Sequence, residues 1–166
     1  EWLCLLNLDR DLAPIDYFAQ IVKTDNVYIE ANENYLKQSF RNRCEIYGAN
    51  GKLPLSIPIV KVSGSKIPIR DVRIDNTSSW KRIHTTSILS AYKSSPFFEH
   101  YYDEISTVIK NKYEFLFDLN FILLTTVLSL LDMNKEIHLT KNYSNENEFE
   151  GNDCRNYFRQ TKQESI

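Results

Sequence analysis

The chain has 166 residues, a length that suits one domain around a single core. Its 42% hydrophobic and 25% charged residues are ordinary for a globular protein, and a formal charge of -2 with pI near 6.0 argues against the broadly basic surface of a nucleic-acid binder. Cys4, Cys44 and Cys154 are an odd set with no CxxC and no nearby His at metal-ligand spacing, so they predict reduced thiols, with no disulfide framework and no bound metal.

Trp2 to Leu6 is an apolar run of strand length. A polar turn follows, then Pro14, which suits a first helical position, and Tyr17, Phe18, Ile21 and Val22 supply the apolar face of a helix. Asp25-Asn26 ends that helix before a second strand at Val27-Tyr28-Ile29, giving a βαβ-like opening and a parallel strand pair. A hairpin comes next: Cys44 and Ile46 alternate on one side, Gly48 to Gly51 carries turn chemistry, and Leu53, Leu55, Ile57 and Ile59 alternate on the return strand. Pro54 and Pro58 share parity, so their missing N–H groups lie on one side of that strand and predict an edge or a bulge.

Arg70 to Ile74 reads as a short strand, and Asp75-Asn76-Thr77-Ser78 offers capping residues to a helix over 79–92. Its predicted apolar face is Trp80, Ile83, Ile88 and Ala91, with His84 on the same face. Ser94-Ser95-Pro96 breaks it, and Phe97, Tyr101, Ile105, Val108 and Ile109 form the buried stripe of the next helix. Phe115 to Met133 predicts a third helix that is apolar around much of its circumference. Asp118, Asn120, Thr125, Thr126 and Ser129 interrupt it, so it reads as a buried helix and not as a membrane span. Ile137 to Leu139 suits a late strand. The expected fold class is therefore α/β: a small mixed sheet opening with the βαβ-like unit, a hairpin, and three packed helices in the C-terminal half. Residues 1–140 form the expected single domain, and 141–166, rich in Asn and Glu, a polar, loosely ordered segment. Glu1-Trp2 has none of the features of a secretory signal, which predicts a cytoplasmic location.

Four groups of residues are suited to chemistry. Arg41, Arg43 and Lys37, beside Asn42, offer paired donors to phosphate or carboxylate oxygens, against the plainer reading of a solvated strand face. His84 could titrate near neutrality as a general base, or be a hydrogen-bonded core histidine. Asp9 and Asp11 follow the first strand, where α/β folds place sites, and suit an amine, a metal or helix capping better than a phosphate. Glu30 ends the second strand and reaches the same edge. GxSxG, HExxH, Walker A and GxGxxG motifs do not occur.

The order of these landmarks, "LAPIDYFAQIVKTDNVYIE", "YLKQSFRNRCEIYGANGKLPLSIPI", "VRIDNTSSWKRIHTTSILSAYKSSPFFEHYYDEI" and "LFDLNFILLTTVLSLLDM", resembles the WbqC-like family of bacteria over about residues 12 to 133, and more weakly to Ser144. The residues carrying the likeness are Leu12, Pro14, Tyr17, Phe18, Asp25, Glu30, Asn42, Arg43, Pro58, Trp80, His84, Tyr92, Pro96 and Phe97. The chain departs from the family pattern at Asn7-Leu8-Asp9 and Asp11, where relatives carry His-Gln-Pro and a Tyr. Asp153, Arg155 and Lys162 fall where relatives show a "D.R....K" stretch, after which the chain looks truncated or divergent.

The resemblance implies a role in O-antigen or other surface-polysaccharide synthesis, as a transferase placing glycine or another acyl group on a nucleotide-linked amino sugar. In that reading Arg41 and Arg43 hold the diphosphate with Lys37 and Asn42, His84 takes the proton of the attacking amine, Asp11 and Glu30 complete the catalytic candidates, and Tyr17 or Trp80 walls the ligand. The implied partner is a nucleotide-sugar or other anionic small molecule, without cofactor, nucleic acid or membrane span. An exposed strand edge leaves a homodimer open. The rival reading is a non-catalytic binding or assembly protein of the same pathway, and RNA binding through the hairpin stands third.

Overall fold

The computed structural model describes residues 3–8, 13, 15–35, 42–61, 67–143 and 149–155. They divide into two compact units, the first drawn from Glu1–Asn7, Pro14–Asn32 and Lys135–Ile166, the second from Leu8–Ala13 and Glu33–Asn134. The class is mixed α/β, with four helices, a parallel four-stranded sheet and an antiparallel hairpin. Among the described residues no helix is long and apolar enough to cross a membrane.

The first unit is built on β1 (Leu3–Asn7), α1 (Ile15–Lys23) and β2 (Asn26–Glu30). The two strands pair in parallel from Leu3 opposite Asn26 to Asn7 opposite Glu30. Cys4, Leu5 and Leu6 are all fully buried, which is why β1 reads as an unbroken apolar run and does not alternate. In α1, Tyr17 and Ile21, one turn apart, are buried, whereas Val22, expected on the same stripe, is half exposed. Thr24 ends the helix by donating its hydroxyl to the Ile21 carbonyl at 3.0 Å.

The third strand of this sheet, β5 (Ile137–Leu139), joins β2 in parallel, and the fourth, β6 (Asn152–Asp153), joins β1 in parallel from the other side. The order β5-β2-β1-β6 therefore reverses direction at β1. Gly151 makes the approach of β6 possible. A Cβ there would lie 2.7 Å from the Leu3 Cβ and 2.9 Å from the Leu3 carbonyl oxygen, atoms that cannot move aside without moving β1.

In the second unit β3 (Arg43–Gly48) and β4 (Gly51–Ser56) form the hairpin, closed by Gly51 at φ 102°. That angle is a left-handed one, which glycine adopts without cost. The Tyr47 N–H points away from β4 and donates to the Tyr92 hydroxyl at 3.0 Å. Pairs of an antiparallel ladder alternate, so Pro54, opposite Glu45 and two steps along from that pair, also directs its nitrogen outward and costs no ladder bond. Pro54 thus marks an outward edge, as the parity predicts, whereas Pro58 lies beyond β4 and its carbonyl accepts the Asp75 N–H at 2.9 Å.

The strand expected over 70–74 is not continuous. Ile69–Asp71 is a single 3-10 turn, and only isolated bridges follow, Ile74 with Ile59 and Arg73 with Phe115. Three helices complete the unit: α2 (Trp80–Tyr92), α3 (Phe98–Lys110) and α4 (Leu116–Leu130). On α2 the row Trp80, His84 and Ile88 is buried together with Thr85, while Ile83 is exposed. Thr85 can face the core because its hydroxyl donates back to the Lys81 carbonyl at 2.9 Å. On α3 the stripe shifts to Ser106, Val108 and Ile109, leaving Phe97 and Tyr101 outside. As its composition predicts, α4 buries the most residues of the four helices.

Phe97 precedes α3 at φ 61°, a left-handed angle, with 78% of its surface exposed. An L-residue costs about 1–2 kcal/mol there, and glycine would give back about 0.5–1 kcal/mol in chain entropy. Phe97→Gly should therefore raise unfolding stability by about 0.5–1 kcal/mol in urea titration. A loss of stability would show that the exposed ring contributes packing.

Candidate active site at the carboxyl edge of the parallel sheet

Parallel strands direct their carboxyl ends to one edge, and where the strand order reverses, the loops diverge and open a crevice. In the first unit that point lies between β1 and β6. Glu30 ends β2, Asp153 ends β6, and Thr140 and Arg155 directly follow β5 and β6.

These residues form one network. Glu30 is fully buried. Its Oε1 accepts from the Asn32 backbone N–H at 2.8 Å and from the Thr140 hydroxyl at 2.7 Å, and its Oε2 lies 3.6 Å from Arg155 Nη1. The Thr140 oxygen in turn accepts from the Ala31 N–H at 3.1 Å and the Asn32 amide at 3.2 Å. Arg155 gives its other edge to Asp153, with Nε donating at 2.9 and 3.0 Å and Nη2 completing a fork. Asp153 Oδ1 also accepts the Arg155 backbone N–H at 3.0 Å, so the Asp-x-Arg turn is self-locking. The Tyr143 ring lies over the guanidinium, 5.4 Å from its Cζ.

The hydrogen-bonded Asp153 carboxylate is the main cause that holds the Arg155 guanidinium above its ordinary pKa; burial opposes it, while the Asp153, Tyr143 and Glu30 charges add to it. Two carboxylates face one guanidinium. The three side chains differ in access: 15% of Asp153 is exposed, against 5% of Arg155 and none of Glu30. Asp153 is thus the most exposed of the three. Burial, with the neighbouring Cys154 thiol second, pushes the Cys4 thiol far up, so Cys4 is no nucleophile.

The other candidates fall elsewhere. Lys37, Arg41 and Asp11 lie outside the described residues. Arg43 is exposed at the start of β3, alternating with buried Cys44 and Ile46, the face against which α2 packs. Trp80 and His84 meet edge to face at 5.2 Å and are both buried, with His84 Nδ1 3.0 Å from the Trp80 carbonyl oxygen. Arg43 is thus exposed on β3, whereas Trp80 and His84 are buried on α2. Asn42 is used locally, its amide donating to the Ile57 carbonyl at 2.9 Å and its Oδ1 accepting from the Tyr35 hydroxyl at 3.3 Å. Tyr17 is buried on α1 beside Phe18. Of the predicted catalytic residues, Glu30 lies in this network. Asp153 and Arg155 stood only as a family-like spacing, and Thr140, Asn32 and Tyr143 carried no signal.

The chain belongs to the WbqC-like protein family, whose sequence model matches residues 12–164 and so spans Glu30, Asp153 and Arg155. No curated protein and no solved structure gives a significant match to the chain.

Removing the guanidinium leaves Glu30 buried without its cation. Arg155→Ala should cost roughly 3–5 kcal/mol in chemical denaturation. A loss below about 1 kcal/mol, the range of an exposed pair, would mean that the network does not hold the edge together.

Proposed function

We propose that this WbqC-like protein is a transferase of surface-polysaccharide synthesis, which acylates the amine of a nucleotide-linked amino sugar at the carboxyl edge of the parallel sheet. The reading is supported by the Asp153 carboxylate, held in one orientation by its fork to Arg155 and 15% exposed at the carboxyl edge of the sheet. A fixed carboxylate favours an amine over a neutral amide, because it interacts with the N–H donors and with positive charge on nitrogen.

In the reaction the sugar nitrogen attacks the carbonyl carbon of an activated acyl donor, a thioester or an acyl ester. The C–N bond forms and the bond from carbonyl to carrier oxygen or sulfur breaks. The nitrogen becomes positively charged as it bonds, and the Asp153 carboxylate stabilises that charge without needing to reorganise. The nitrogen's proton leaves with the departing carrier group. Arg155 holds Asp153 in a forked, single orientation, and Glu30, fixed by Thr140 and Asn32, holds Arg155.

Calorimetric titration with UDP-glucosamine and UDP-N-acetylglucosamine tests the reading. The free amine should bind at least about tenfold more tightly, a difference of about 1.4 kcal/mol, and Asp153→Asn should abolish the preference. Equal affinity of the native protein for both sugars would contradict it. Amine preference without transfer from any thioester or acyl ester would make the protein a holder of the sugar and not a transferase.

A further inference from the structure

The hairpin of the second unit has a strand edge that is complementary to itself. We infer that two copies of the chain pair there, β3 against β3 in antiparallel order about a two-fold axis at Cys44. Along a strand of an antiparallel pair, the backbone groups of alternate residues point toward the partner strand and away from it. Tyr47 belongs to the outward set, because its N–H donates to the Tyr92 hydroxyl. Arg43 and Glu45 have the same parity, so their N–H and C=O groups also point outward. Among the described residues no backbone group bonds to them on that side. The β4 edge is a poor alternative, since Pro54 has no N–H to give. An exposed edge of this kind is a template for another strand, and Arg43, Glu45 and Tyr47 are all exposed along it.

Charge and parity together choose the occupant and the register. In an antiparallel pair centred on Cys44, Arg43 of one copy lies opposite Glu45 of the other, and the two-fold axis repeats the pair. Opposite charges directly across a ladder attract. The same residues carry the outward backbone groups, so each pair also exchanges both of its N–H···O bonds. Centring the pair on Glu45 would set like charges against each other and would take Tyr47 from the Tyr92 hydroxyl. An unrelated extended peptide would gain the main-chain bonds, but the Arg-x-Glu order is matched by an antiparallel copy of itself. Lys52, 3.7 Å from Glu45, is no obstacle, because both side chains are largely exposed and such pairs are weak. The ladder is short, so the dimer is a reversible one.

Sedimentation velocity of the full chain, from micromolar to millimolar concentration, tests the inference. The expected result is a rise from the 19.5 kDa of one chain to twice that mass. Arg43→Glu and Glu45→Arg should each weaken self-association about tenfold. An equimolar mixture of these two variants, and the doubly exchanged Arg43→Glu/Glu45→Arg protein, should pair as well as the native chain. Restoration cannot come from Lys52, whose contact Glu45→Arg removes in every case. Both side chains are exposed, so thermal unfolding should stay near native. Amide hydrogen exchange gives a reading free of any variant: the Arg43 and Glu45 N–H groups should exchange more slowly as concentration rises. A chain that stays monomeric to millimolar concentration overturns the inference, and one that is monomeric yet binds an extended peptide at β3 gives the edge to a different protein. Native-strength association of Arg43→Glu, or a dimer whose Arg43 and Glu45 exchange is unchanged, places the contact elsewhere and overturns it too.

Discussion

The organisation of the first unit depends on the ion pairing of Arg155 with two carboxylates. A fully buried carboxylate such as Glu30 is costly unless a cation and hydrogen-bond donors surround it. Asn32 and Thr140 supply donors from the ends of β2 and β5, and the cation comes from beyond β6. β6 has only two residues, too few for its ladder bonds alone to hold a strand against chain entropy. Its attachment to β1 draws on the close approach at Gly151, the bond from the Cys154 N–H to the Leu5 carbonyl at 2.9 Å, and the buried guanidinium.

The same arrangement explains why a structural network can also serve a ligand. Completing the sheet with β6 creates the reversal of strand order, and Glu30, Arg155 and Asp153 meet at its carboxyl edge. Glu30 is sealed and positions Arg155, Arg155 orients Asp153, and only Asp153 and the outer side of Tyr143 face outward to a useful degree. Affinity for a ligand and attachment of the strand are then two consequences of one set of contacts.

Much of the fold is legible in the sequence where local rules and burial agree. The apolar run of β1, the Tyr17–Ile21 face of α1, the Gly51 turn and the parity of Pro54 each have a short-range physical cause, and the elements follow them. Periodicity misleads where a face is only partly covered. Ile83 and Tyr101 lie on predicted stripes but outside the actual contacts, while Thr85 and Ser106 are inside because their hydroxyls bond to their own helices. The candidate site is half legible. Glu30 can be found from its place at the end of a strand, but Arg155 lies in a stretch whose polarity suggests nothing to bury, and its burial comes from a pairing that is remote in the chain. His84 and Arg43 are suggestive residue types in the same unit, one buried on α2 and the other exposed on β3.

A crystal structure of the protein with UDP-glucosamine tests the account most directly. The account places the amine nitrogen within about 3.2 Å of an Asp153 carboxylate oxygen, at the carboxyl edge of the sheet. A sugar bound with its amine remote from Asp153, for example against the exposed face of the hairpin at Arg43, would contradict it.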